Sequence, residues 1–243
     1  MVMNQMFQLM KQLSGKWNSS SYAAMDGADP QKIAYMRQLQ RELKNKDVLS
    51  IPFNQLKVVV FDVETTGFFP YKGDSILSIG AVRMLGDQVL EGETFYSPIF
   101  HEEGPSQEIE KLTGITREIV QAAPPLSAVL RDFYQFTKTD TLVAHHASHE
   151  KQFMQHATWA SLKTNFQHRI IDTSFLTKIV EPEKRLVTLD ECCEHYGIEI
   201  DQRHHALSDA IATARLWSES VRAVQAMGFT NLKEVYTHIA TLK

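Results

Sequence analysis

Cysteine is nearly missing from this chain. Two are present in 243 residues, Cys192 and Cys193, and they are adjacent. No disulfide framework is available to hold the fold, and unpaired thiols fit a reducing, cytoplasmic setting. Packing inside a helix is the expected role of both. Long apolar runs are missing too. None approaches the ~18 residues that a membrane span requires, and the N-terminus lacks the charged-then-apolar order of a secretion signal. The expectation is a cytoplasmic protein with no membrane partner. There is no G-x-x-x-x-G-K-[ST] loop, which removes the phosphate cradle of nucleotide hydrolases. There is no H-E-x-x-H zinc motif either, because Phe153 stands where its second histidine would be. Finally, positive charge is not in excess. The net charge is −4, which argues against bulk coating of nucleic acid but not against an enzyme that grips a strand end. Charge is uneven: residues 1–56 carry +3 and the remainder −7.

What is present is organised around Lys57 to Gly67, K-V-V-V-F-D-V-E-T-T-G. The apolar run Val58-Val59-Val60-Phe61 suits a strand buried on both faces. It ends in Asp62 and Glu64. Residues two apart on a strand point to the same side, so both carboxylates project together. Two like charges side by side are unfavourable unless a cation joins them. Hard divalent ions such as Mg²⁺ prefer oxygen ligands of this kind. Thr65, Thr66 and Gly67 then turn the chain. A strand end bearing two solvated acids is the bland alternative.

Ahead of this stretch, Met3, Met6, Phe7, Met10, Leu13 and Trp17 fall at helical spacing. A polar, small-residue linker follows over 14–27. Asp29-Pro30 opens a basic helix reaching about residue 46. Residues 1–52 therefore read as a helical extension and linker, and 53–243 as the main domain with a C-terminal helix. Beyond the first strand, 75–84 and 88–96 read as strands joined at Gly86-Asp87, a strong hairpin signal. Short helices fill 105–137, with turns at Gly114 and Pro124-Pro125. Strand 141–144 leads to helix 147–158. Strand 169–171 leads to a helix capped by Asp172. Helices at 188–196, 206–227 and 231–242 complete the chain. This order implies a mixed sheet covered by helices.

Three stretches carry acids or histidines at strand ends and helix starts. The first holds Asp62 and Glu64. The second is residues 142–153, with His145, His146, His149 and Glu150. The third is 204–210, with His204 and Asp209. In this order they resemble the DEDDh family of 3′→5′ exonucleases. The family's D-x-E-T-T-G matches Asp62 to Gly67, and its H-x-A-x-x-D matches His204, Ala206 and Asp209. Ile171-Asp172-Thr173 and the K-L-T-G-I-T of 111–116 resemble two further family junctions. The resemblance covers about residues 56–220. The second motif departs from the family's H-N-A-x-F-D: His146 replaces Asn, His149 replaces Phe, and Glu150 replaces Asp.

The resemblance implies an α/β, RNase H-like fold with a central five-stranded mixed sheet. It also implies two divalent ions (Mg²⁺ or Mn²⁺), held about 3.5–4 Å apart in such sites. By this resemblance Asp62 is the ligand shared by both ions, Glu64 and Asp209 complete one, and Glu150 serves the other. His204 is then the general base, and Thr65, Thr66, Gly67 and His146 contact the substrate. The substrate is the 3′ end of a single-stranded DNA or RNA, released as nucleoside 5′-monophosphates. A DNA polymerase or a replication or repair protein is the expected partner of the N-terminal helices. The expectation from another class is a degenerate exonuclease domain that binds nucleic acid or a polymerase without cutting. A carboxylate at all four positions favours the enzyme. The i, i+4 pair His145 and His149 also has a spacing open to zinc.

Overall fold

A computed structural model describes residues 47–241, together with 38–39 and 42–43. The expected first helix and linker lie outside the described residues. Of the expected second helix, 38–39 and 42–43 are helical, and Leu39 is buried in the main core. Residues just before the first strand are also packed rather than free. Val48 is buried, Leu49 accepts a backbone hydrogen bond from Lys233, and Phe53 N–H donates to Thr230 O.

Five strands form one sheet: β1 (Lys57–Thr65), β2 (Ile76–Leu85), β3 (Gln88–Pro98), β4 (Thr141–Ala144) and β5 (Ile170–Asp172). Their spatial order is β3-β2-β1-β4-β5. The β2 strand pairs antiparallel with both β1 and β3, while β4 is parallel to β1 and β5 parallel to β4. The sheet is therefore mixed, as the order of elements implies, and five-stranded, as the resemblance implies. Gly86 adopts φ +64° in the two-residue hairpin turn between β2 and β3. A side chain would strain that conformation.

Helices cover both faces. The described ones are α1 (Gln107–Thr113), α2 (Arg117–Gln121), α3 (Leu126–Thr137), α4 (Ser148–Leu162), α5 (Ser174–Val180), α6 (Leu189–Tyr196), α7 (Ala206–Ala226) and α8 (Leu232–Thr241). Strand parity divides the core in two. Val59, Phe61 and Val63 pack with Phe133 of α3 and Met154 of α4. Val58 and Val60 pack with Ala214, Trp217 and Val221 of α7. Asp62 and Glu64 share the even parity, so they emerge on the α7 side. The β1 run is apolar throughout because both its faces are covered. Helix α6 carries the cysteine pair, buried as expected, with burial pushing the thiols up to about 11 and about 12. Such thiols are not reactive at neutral pH. No helix among the described residues is long and apolar enough to cross a membrane.

Gly80 sets how closely α7 approaches the sheet. It pairs with Asp62 across the β1/β2 ladder. A Cβ there would lie 2.2 Å from the backbone of Ala206 and Leu207, at the start of α7. Neither backbone can give way without moving the helix that carries Asp209. An isolated glycine inside a strand often marks such an approach. Gly80→Ala should therefore lower stability by about 1–3 kcal/mol or more, read as a reduced urea midpoint. An unchanged midpoint would show that α7 does not depend on this contact.

Candidate active site

The parallel strands end at one edge of the sheet, and ligand crevices form outside such carboxyl ends. Asp62 and Glu64 close β1, His145 and His146 follow β4, and Asp172 closes β5. Helix α4 starts at the same edge and carries Glu150 in its first turn. From the other side α7 brings Asp209 in its first turn, with His204 just ahead of it. Asp62, Glu64, His146, His149, Glu150, His204 and Asp209 all line one open cleft of about 400 Å³. Ligand atoms of Glu64, His204 and Asp209 lie within 4.8 Å of one another.

The cleft concentrates negative charge in a poorly solvated place. Glu64, Glu150 and Asp209 are buried. Burial first, and then repulsion from Asp209, pushes Glu64 up to about 8. Glu150 also rises to about 8, through burial and then the charges of Asp172 and Glu64. Asp62 is raised well above its ordinary value by burial and by Glu64, Glu150 and Asp209. Asp209 is raised by burial. Glu150 Oε2 and Asp209 Oδ1 are buried without a hydrogen-bond partner among the described residues. Buried oxygens left bare are unfavourable. An all-oxygen set of this kind, with histidine beside it, fits a hard divalent cation.

Arg203 is the cationic counterweight, and sequence reasoning missed it. Its guanidinium is ion-paired with Asp209 and donates to Asp190 at 2.8 Å. The Thr188–Glu191 capping box starts α6 and so fixes Asp190. Arg203 lies next to His204 in sequence, but its partner Asp190 is distant, and no local signal links them. His204 N–H donates to Asp209 Oδ2 at 3.0 Å, and His204 adopts φ +61°. That left-handed backbone is uncommon for a residue with a side chain and clusters at functional sites. Burial and then Arg203 lower the His204 pKa below 6.5, partly offset by Asp209 and Asp190. The ring is therefore neutral near pH 7.

At His146 the second motif fits its backbone. His146 has φ +57°, a conformation that Asn and His tolerate better than most residues. His145 does not join His149 in a zinc site. It lies outside α4, with Nδ1 at 2.7 Å from Thr173 Oγ1 and Nε2 at 2.9 Å from Val187 O. Among the described residues, the one cluster of three or more ligand-type side chains is Glu64, His204 and Asp209. Asp172 ties two helix starts together, accepting from Ala147 N–H at 3.0 Å and from Ser174 N–H at 2.8 Å. Thr65, at the end of β1, and Thr66 and Gly67 beyond it shape the turn after the strand and do not line the cleft. Thr65 Oγ1 donates to Gly67 O, Thr66 N–H donates to Ser75 O, and Thr66 Oγ1 accepts from Ser75 N–H. Phe68, next in the loop, does line the cleft, its ring 5.8 Å from that of His149.

A family model described as an exonuclease of the RNase T type matches residues 59–217. A DNA polymerase III subunit epsilon-like protein of Rhodobacter capsulatus is 34% identical over 194 residues, covering 77% of this chain and 27% of that protein. Two solved structures show the same fold. The nuclease domain of 3′hExo, a DEDDh family member bound to rAMP, superposes with TM-score 0.59 at 22% identity, covering 70% of this chain and 92% of that one. Exonuclease I of E. coli, in complex with a dT13 oligonucleotide, gives TM-score 0.60 at 16% identity, with 72% and 43% covered. The chain belongs to the exonuclease family. It spans about a quarter of the Rhodobacter relative's length.

The raised carboxylates carry a pH signature. A folded-state value above the unfolded one favours folding below the unfolded value and loses that contribution as pH rises through the folded one. For Glu64 and Glu150 the window runs from 4.5 to about 8. In a chelator, Tm should fall between about pH 5 and about pH 8. Adding Mg²⁺ or Mn²⁺ at the upper end should raise it again. A Tm that climbs across that window would contradict the clustering of these acids.

Proposed function

We propose that this chain is an active, metal-dependent 3′→5′ exonuclease that hydrolyses the terminal phosphodiester of a single-stranded nucleic acid and releases nucleoside 5′-monophosphates. The observation that carries this is the convergence of Asp62, Glu64, Glu150, Asp209 and His204 on one open cleft. Asp62, Glu64, Glu150 and Asp209 would hold the cations. Two bound divalent ions, Mg²⁺ or Mn²⁺, would neutralise the phosphate and stabilise the attacking and leaving oxygens. His204, neutral and beside Asp209, accepts the proton of the attacking water. Arg203 holds Asp209 and, through it, the backbone of His204. The exposed His146 and Phe68 face the same cleft and contact the terminal nucleotide.

Glu150 is one methylene longer than the family's aspartate, and it lies in the first turn of α4. Its buried, unpartnered Oε2 supports a role at the metals rather than a structural one. Glu150→Ala should lose most activity, whereas Glu150→Asp should keep a substantial part. His204→Ala should lower kcat by roughly 10²–10⁴ while strand binding survives.

The test is a 5′-labelled single strand incubated with Mg²⁺ or Mn²⁺. Products should shorten stepwise from the 3′ end, stop with a chelator, and slow sharply with a 3′-phosphate. Cuts in a circular single strand, or no cleavage under either metal, would overturn the proposal. An intact fold that binds strands without cutting them would point to the binding-module alternative.

A further inference from the structure

The loop after β1 presents aromatic rings to solvent beyond the cleft. Phe69 and Tyr71 are 57% and 67% exposed. Exposed aromatics in one short loop are unusual without a ligand. Tyr71 sits in the 3₁₀ turn Pro70–Lys72, edge-on to His156 of α4, with ring centroids 5.3 Å apart. Lys72 Nζ lies 4.6 Å over the Phe69 ring. On α4, His149, His156 and Trp159 follow one another at helical spacing along one side. Trp159 is 52% exposed. The row thus starts in the cleft at His149 and runs along the helix, with the Tyr71 loop laid beside it. Lys72 is exposed in the same loop.

Resting on the exonuclease reading, we propose that Tyr71, His156 and Trp159 form a stacking track for the unpaired bases of the strand upstream of the terminal nucleotide. The chemistry fits a single-stranded nucleic acid. Aromatic faces stack any base, and neighbouring cations attract the backbone. The cleft itself is acidic, so a strand held there needs attraction elsewhere, and Lys72 beside the track supplies it. From His149 to Trp159 the helix rises roughly 15 Å. That is the length of about four stacked nucleotides at ~3.4 Å each. The track is continuous with the cleft and leads away from it, as a strand entering with its 3′ end would require.

The test measures fluorescence anisotropy of labelled oligothymidylates of two and of about eight nucleotides, in chelator and low salt, on the full chain. Wild-type affinity should rise steeply with length. Tyr71→Ala combined with Trp159→Ala should weaken the longer strand by ~10-fold or more, with little effect on the dinucleotide. Tyr71→Phe with Trp159→Phe keeps the rings and should restore length dependence, which also controls for folding. Equal affinities for both lengths in the wild type, or an eight-mer bound equally well by the alanine variant, would overturn the track. Hydrolysis of thymidine 5′-monophosphate p-nitrophenyl ester with Mn²⁺ reports the cleft alone. A wild type inactive on that ester but length-dependent in binding would sink the exonuclease reading and leave the track standing.

Discussion

The burial of carboxylates that also repel one another is the constraint on which the site depends. Asp62 and Glu64 emerge from β1 on one face, and Asp209 meets them from α7. Glu150 approaches from α4 on the other side of the sheet. Four acids in such a place oppose folding whenever all are ionised. Arg203 relieves part of this through Asp209, and Asp190, at the cleft wall, anchors Arg203. The remainder is left to protons or to cations. The same arrangement that costs stability gives the cleft its attraction for a divalent ion.

The fold delivers the acids through a few close contacts. Gly80 lets α7 lie against the sheet beside Asp62. Asp172 joins the starts of α4 and α5 to the end of β5. Two histidines, His146 and His204, hold left-handed backbone at the cleft's edge. The two histidine backbones spend local stability at the cleft, which is typical of strained functional positions.

Much of this was legible in the chain. The period-2 placement of Asp62 and Glu64 on an apolar run predicted their shared direction, and Gly86-Asp87 predicted the hairpin. Glu150 was found by its place in the motif order despite its altered type. Element ends moved by a few residues: β3 runs to Pro98 and α4 to Leu162. Asp172 ends β5, yet still accepts the Ser174 N–H at the start of the next helix. Arg203 and Asp190 were not legible, because an ion pair between distant residues leaves no periodic signal. In the sequence Leu39 and Val48 fall within the extension and linker, yet both are buried. Hydrophobic spacing tells that a residue will be covered, not by which element.

The most direct measurement of the central claim is calorimetric titration of Mn²⁺ near neutral pH, repeated in buffers of different ionisation enthalpy. With Glu64 and Glu150 raised to about 8, both are largely protonated there, and a cation must displace those protons. The account predicts release of about one to two protons on metal binding, and loss of that release in Glu64→Gln/Glu150→Gln. Metal binding without proton release, or no binding in the wild type, would contradict it.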